Sequence, residues 1–230
     1  MQLTVIAIAL LAIVVILAVL LASRKGKPSP ASAALRALAR QTGGSFARQF
    51  FGFGEVVKLQ AGGWPLTFKI SSSIDGPGES IASRRSLNAY GEYRLLRPFE
   101  AELEPKGRGG VSWTLTSSRP PVVTLGFPEI DEAYVVRASD AALVAALLGD
   151  PGVRERLSAV CRPTTSVYVG PMTEGLLKRA REGVGGVALN EDEEAVSVER
   201  LLAIRDVIAA VLDVLARQGV AQRPDRPVTA

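Results

Sequence analysis

The sequence predicts an α+β protein: an N-terminal transmembrane helix, then an antiparallel β-sheet or partly closed barrel packed by helices, with a long amphipathic C-terminal helix. Three observations carry this. Leu3 to Ala22 is a run of 20 residues without charge, proline or glycine. At about 1.5 Å per residue it spans about 30 Å, the thickness of a bilayer's hydrocarbon core. Between Glu55 and about Leu125 apolar and polar side chains alternate in several stretches, as half-buried strands do. Ser197 to Gln218 places apolar residues at helical spacing. Strands followed by helices, rather than strands alternating with helices, argue against a parallel doubly wound sheet.

The chain divides accordingly. Residues 1–23 are the span, and 24–30 form a basic, proline-containing linker. Residues 31–221 are the soluble domain, strand-rich over 45–138 and helix-rich over 139–221. Residues 222–230, with two prolines, are a disordered tail.

The first run reads as a retained span rather than a cleaved signal. A signal peptide has a basic leader, a shorter apolar core and small residues before the cut. Only Met1 and Gln2 precede this run, and Leu20 is too large for the −3 position of a cut after Ala22. Ser23 stands where a lipoprotein would need cysteine. Arg24, Lys25 and Lys27 follow the run, and cationic flanks stay in the cytoplasm. The expected location is the inner membrane, single-pass, N-terminus out, with residues 24–230 cytoplasmic. The same cations are placed to meet anionic lipid headgroups. Ala18 and Ala22 form one small-xxx-small pair, a weak basis for a homodimer.

Charge and composition narrow the function. The chain holds 27 Lys+Arg against 23 Asp+Glu. Arg24, Lys25 and Lys27 supply three of the four excess cations, so the domain itself is nearly neutral. The basic pI is therefore no sign of nucleic-acid binding, and no nucleic acid is expected as a partner. The chain has no histidine and one cysteine. That removes Ser-His-Asp and Cys-His catalysis, His-based acid–base chemistry and intrachain disulfides. No cofactor is expected.

In order, Ser29 and Pro30 form a cap and first-position pair for a helix that Gly43-Gly44 ends. Phe46, Phe50, Phe51 and Phe53 read as core, with a membrane or partner contact as the alternative. Val56 to Leu59, a turn at Gly62-Gly63, and Trp64 to Ile70 form a hairpin. Ser71 to Arg85 reads as a loop or weak edge strand. Tyr93 to Leu103 suggests a long strand bent at Pro98, with Glu100, Glu102 and Glu104 on a wet face. Lys106 to Gly110 is a turn, Val111 to Thr116 a strand, and Val122 to Leu125 another short one. Tyr134 to Ala138 is a strand. Asp140 caps a helix through Leu148, and Asp150-Pro151 starts another reaching Val160. Ser166 to Val169 reads as a strand, Thr173 to Arg181 as a short helix, and Gly183 to Leu189 as a strand or turn.

The chemical candidates are few. Asn190 to Glu194 is acidic but lacks the calcium-loop spacing, and its place ahead of a helix favours negative charge anyway. The glycines around Lys106 and Arg108 lie between strands, which is wrong for a phosphate loop. Gly183 to Gly186 is an equally weak nucleotide signal. Arg84, Arg85, Arg94 and Arg97 form the best basic cluster, a candidate patch for an anionic partner. Asp131 and Glu132 become catalytic only if a third acid converges on them. Cys161, at the end of an apolar stripe, is expected to be a buried or half-buried inert thiol.

Residues Phe127-Pro128-Glu129-Ile130-Asp131-Glu132-Ala133-Tyr134-Val135-Val136-Arg137-Ala138-Ser139-Asp140 run into a small helix and then a second helix with Arg and Leu. Over about 127–160 this order resembles uncharacterised bacterial single-span membrane proteins of unknown function. The resemblance implies a membrane-anchored domain and names no catalytic residue. The expected function is a membrane-anchored, non-enzymatic interaction or scaffold protein, with the bilayer and a protein at the membrane as partners. The alternative is a membrane-bound enzyme using carboxylates, with a divalent metal.

Overall fold

The computed structural model describes residues 29–48, 54–75, 82–107, 119–174, 179–192 and 196–224. Among the described residues no helix is long and apolar enough to cross a membrane. The expected span, the cations Arg24, Lys25 and Lys27, Phe50 to Phe53 and the expected strand at 111–116 lie outside the described residues.

Nine strands form one antiparallel sheet among the described residues. They are β1 (Ser45–Arg48), β2 (Gly54–Ala61), β3 (Trp64–Asp75), β4 (Ala82–Leu95), β5 (Ala101–Pro105), β6 (Tyr134–Ala138), β7 (Ser166–Glu174), β8 (Arg179–Asp192) and β9 (Ala221–Gln222). The order across the sheet is β1-β2-β3-β4-β8-β7-β5-β6, and β9 pairs with the end of β4. The helices are α1 (Pro30–Thr42), α2 (Pro128–Asp131), α3 (Ala141–Gly149), α4 (Pro151–Val160) and α5 (Val198–Arg217). The fold is α+β, as the sequence predicts, with an open path from β1 to β6 rather than a closed barrel.

Strand period dictates which face is buried. One row of paired residues runs Val136, Leu103, Val167, Leu189, Ala89, Phe68, Val57, Phe46 across eight strands. Its first seven members are fully buried. A side chain of Leu or Phe size buried this way contributes about 1.5–3 kcal/mol. Helices cover this face. α1 lies against β1 and β2, α5 against β2, β3, β4 and β8, and α4 packs on α5 with α3 beside it.

Local chemistry sets the helix ends. The Ser29 hydroxyl accepts from the Ser32 amide at 3.2 Å, and Gly43 ends α1 at φ 66°. Asp140 caps α3 by accepting from the Leu143 amide at 2.9 Å. Asp150 caps α4 from the Val153 amide at 3.1 Å, and Ser197 caps α5 from the Arg200 amide at 3.2 Å. Ser29, Asp140 and Asp150 are the caps the sequence predicts.

Gly91 allows the central helix to approach the sheet. A Cβ at Gly91 would lie 2.7 Å from Leu212 Cδ1 and 2.9 Å from Ile208 Cγ2, both on α5.

The structure corrects four readings. Ser71 to Asp75 and Ala82 to Arg85 are neither loop nor edge: β3 continues to Asp75, and β4 is a central strand paired with both β3 and β8. Inward-facing Leu87, Ala89, Gly91 and Tyr93 hold it there despite its polar start. Tyr93 to Leu103 is not one strand. β4 ends at Leu95, the Leu96 amide turns to the Val220 carbonyl, and β5 crosses to lie between β6 and β7. Thr173, Glu174 and Arg179 to Arg181 lie in strands rather than a helix, because β7 and β8 pair antiparallel with an irregular register between Pro171 and Thr173. The face of Glu100, Glu102 and Glu104 is not uniformly wet: Glu102 is fully buried, between Arg137 of β6 and Tyr168 of β7 in the register.

Candidate functional site

A recess of about 440 Å³ opens where the end of β5, α2, the start of β6 and the last turn of α4 meet. Leu103, Ile130, Tyr134, Leu157 and Cys161 make its apolar wall. Lys106, Glu129, Glu132, Ser158 and Arg162 line it as well, and all five are exposed residues that bring their polar ends to the rim. Its size falls within the ordinary range of small-molecule sites.

Each wall has a local cause. Pro128 opens the one-turn helix α2, and Asp131 closes the turn before it: its carboxylate accepts from the amides of Leu125 at 3.2 Å, Gly126 at 2.8 Å and Phe127 at 3.1 Å. Asp131 is thus a turn-holding carboxylate. The Lys106 amide donates to the Ala133 carbonyl at 2.9 Å and Lys106 Nζ to the Asp131 carbonyl at 2.6 Å, which ties β5 to α2 and the start of β6. At the rim Glu129 faces Arg154 at 3.8 Å.

Inside the recess, the Tyr134 hydroxyl donates to the Arg162 carbonyl at 3.2 Å. Burial pushes the Cys161 thiol up, against smaller opposing effects of Tyr134 and the Arg200 cation. Burial likewise pushes the Tyr134 hydroxyl up. Both groups stay neutral at ordinary pH, and no histidine exists to deprotonate either.

Behind this wall lies a buried ion pair. Arg200, on the first turn of α5, and Glu191, at the end of β8, are 7% and 1% exposed. Arg200 Nη2 meets Glu191 Oε2 at 2.5 Å, and Nε donates to both carboxylate oxygens at 3.2 Å. The guanidinium also donates to the Val160 carbonyl, to the Ala159 carbonyl at 3.5 Å and to Thr165 Oγ1 at 3.3 Å. The Thr165 hydroxyl in turn donates to Glu191 Oε2 at 3.2 Å. One cation therefore satisfies the carbonyls at the end of α4 and pins the loop from Cys161 to Thr165, which forms one side of the recess. Charge alone on the Asn190 to Glu194 stretch did not indicate this. The signal that could have found it is an inward position in β8: Glu191 pairs with buried Leu87.

The remaining candidates disperse. Arg84 and Arg85 lie near the start of β4, and Arg94 lies near its end. Nine residues separate Arg85 from Arg94 in the strand, about 30 Å at the rise of a strand. Arg97 is exposed in the turn beyond. Glycines of the Gly183 to Gly186 stretch belong to β8, where Gly185 makes room for the Tyr93 ring. Among the described residues no three His, Cys, Asp or Glu side chains are grouped to hold a metal. A second, polar cleft of about 620 Å³ runs between α4, α5 and the β2–β3 turn. Within it Arg217 pairs with Asp150 and Arg205 with Asp206, each at 2.7 Å.

No family model matches the chain, and no curated protein matches it in sequence. Among solved structures, the fold is similar to the crystal structure of the mycobacterial trehalose monomycolate transport factor A, TtfA. The TM-score is 0.50 at 9% identity, over 86% of this chain and 99% of that one. At that identity the likeness is one of fold.

Proposed function

We propose that this chain is a membrane-anchored, non-enzymatic accessory protein whose domain acts by binding. The observation that carries the reading is the chemistry of the recess. Its one thiol, Cys161, is held neutral by burial, and the polar residues that line the recess with it are exposed. A neutral thiol is a poor nucleophile, which favours binding over thiol-based turnover. The fold likeness to a protein named as a transport factor is compatible with an accessory role. Leu3 to Ala22 supplies the anchor, and Arg24, Lys25 and Lys27 hold the domain on the cytoplasmic side against anionic headgroups.

The test is purification of the full chain, tagged at its C-terminus, from detergent-solubilised membranes. The reading predicts that the chain stays with membranes through an alkaline wash and co-purifies with a membrane protein in fixed proportion. Release by the wash, or recovery of the chain alone, would count against it.

A further inference from the structure

We propose that the polar cleft between α4, α5 and the β2–β3 turn is a binding site for an oxyanion, the phosphate or carboxylate of a soluble small molecule, held by Arg156 and Arg217. The cleft encloses about 620 Å³, within the range of small-molecule sites, and Ala61, Ala209 and Ala210 are too short to fill it. Three arginines and three aspartates supply its charges, so what it takes depends on which of them are already committed.

The aspartates are committed. Asp150 Oδ1 accepts from the Val153 amide at 3.1 Å, and Oδ2 accepts from Arg217 at 2.7 Å. Asp213 Oδ1 accepts from Trp64 Nε1 at 2.8 Å, with Arg223 at 3.6 Å. Asp206 accepts from Arg205 at 2.7 Å. Two of the arginines have donors to spare. Arg156 is exposed and spends one of its N–H groups on the Gly152 carbonyl, at 2.9 Å. No ion pair holds it among the described residues. Arg217 spends Nη2 on Asp150 and keeps its side chain 63% exposed.

The two guanidiniums converge on one place. Arg217 reaches the Asp150 carboxylate, and a Cβ on Gly152 would lie 3.0 Å from Arg156 Nη1 and 3.3 Å from Asp150 Oδ1. Two positive charges thus flank one negative charge. Each guanidinium presents paired N–H groups that match two oxygens of one phosphate or carboxylate. A cationic ligand meets net positive charge there, and a neutral one forgoes the charge-assisted bonds. Topology selects a solute over a lipid headgroup. Ser32, on the first turn of α1, donates to Glu55 at 2.7 Å, so the described chain enters beside the start of β2. The cleft lies at the other end of that strand, about 20 Å on at the rise of a strand. This orientation rests on the anchored reading above, and the arginine geometry does not.

The full chain, in phosphatidylcholine nanodiscs, is melted against increasing inorganic phosphate or glutarate, with chloride adjusted to hold ionic strength, and followed by tryptophan fluorescence. Each probe is expected to raise the transition with saturation, which yields a Kd. Arg156→Gln and Arg217→Gln are expected to weaken that Kd by about tenfold, through loss of one charge-assisted pair. Arg40→Gln, which removes an exposed cation on α1, should leave it unchanged. Both cleft arginines are exposed, so the variants should fold, which their transitions without ligand check. No saturable effect of either probe, or equal effects in wild type and Arg156→Gln, overturns the site. Loss of the phosphate effect in nanodiscs containing phosphatidylglycerol assigns the cleft to a headgroup and overturns the soluble source. The accessory reading fails separately, by release from membranes or absence of a co-purifying protein.

Discussion

Replacing Arg200 by Met tests how the recess is held. Arg200 is 7% exposed and Glu191 only 1%. The substitution leaves the Glu191 carboxylate inside the domain with the Thr165 hydroxyl as its remaining donor at 3.2 Å. Breaking a buried pair from one side costs about 3–5 kcal/mol. That is a large share of the roughly 5–15 kcal/mol by which domains are stable. At slopes of about 1–3 kcal/mol per molar urea, the unfolding midpoint should fall by about 1–5 M. The double change Glu191→Gln with Arg200→Met removes both charges and leaves only the Val160 and Ala159 carbonyls short of a donor. It should cost about 1–3 kcal/mol, less than Arg200→Met alone. The assay is urea unfolding of the full chain in nanodiscs, followed by tryptophan fluorescence, with Cys161 alkylation in the folded state as a second readout. Arg200→Met should also speed that alkylation, because the loop from Cys161 to Thr165 loses its tie. A cost below about 1 kcal/mol for Arg200→Met, or a double variant as costly as the two single changes together, would refute the reasoning.

Other outcomes follow from the same contacts. Gly91→Ala places a methyl against Leu66, Ile208 and Leu212, and should destabilise by about 1–3 kcal/mol in the same urea assay. Burial raises the Glu100 carboxyl above its ordinary value, against a smaller opposing effect of the Tyr168 hydroxyl. The folded state then holds that proton more tightly than the unfolded one, so Glu100 favours folding below the ordinary carboxylate range and loses that contribution as pH rises through its folded value. Glu100→Gln, which keeps the acceptor for Tyr168, should raise the melting temperature at neutral pH, with the gain shrinking as pH falls into the carboxylate range. A gain independent of pH would contradict the burial of that carboxyl.

How much of this was legible follows from the physics of each element. All four long helices announced themselves through local signals: Ser29-Pro30, Asp140, Asp150-Pro151 and Ser197 sit where caps are required, and Gly43 and Gly149 fall at helix ends. The hairpin from Val56 to Ile70 was legible because one of its faces is continuously apolar. The centre of the sheet was not. Residues 71–85 and 173–185 are polar or glycine-rich, and their strands are held by partners distant in sequence, such as Leu87 against Glu191 and Gly170 against Gly186. Propensity carries no trace of such pairing. Strand β5 misled because alternation at Glu100, Glu102 and Glu104 looks the same whether the polar face meets water or neighbouring polar strands. The recess was least legible of all. It unites residues from 103 to 163, and only Cys161, Glu132 and the turn near Lys106 stood out, each for a different reason.

The most direct measurement of the central claim is photo-crosslinking from inside the membrane-bound protein. A diazirine-bearing amino acid replaces Ser158, an exposed residue at the rim of the recess, and a second variant carries it at exposed Ala142 on α3, which does not line the recess. Intact membranes are irradiated, and the full chain is purified and weighed by mass spectrometry. The account predicts an adduct of a bound partner at position 158 and none at 142. Equal labelling at both positions, or no adduct at 158, would contradict it.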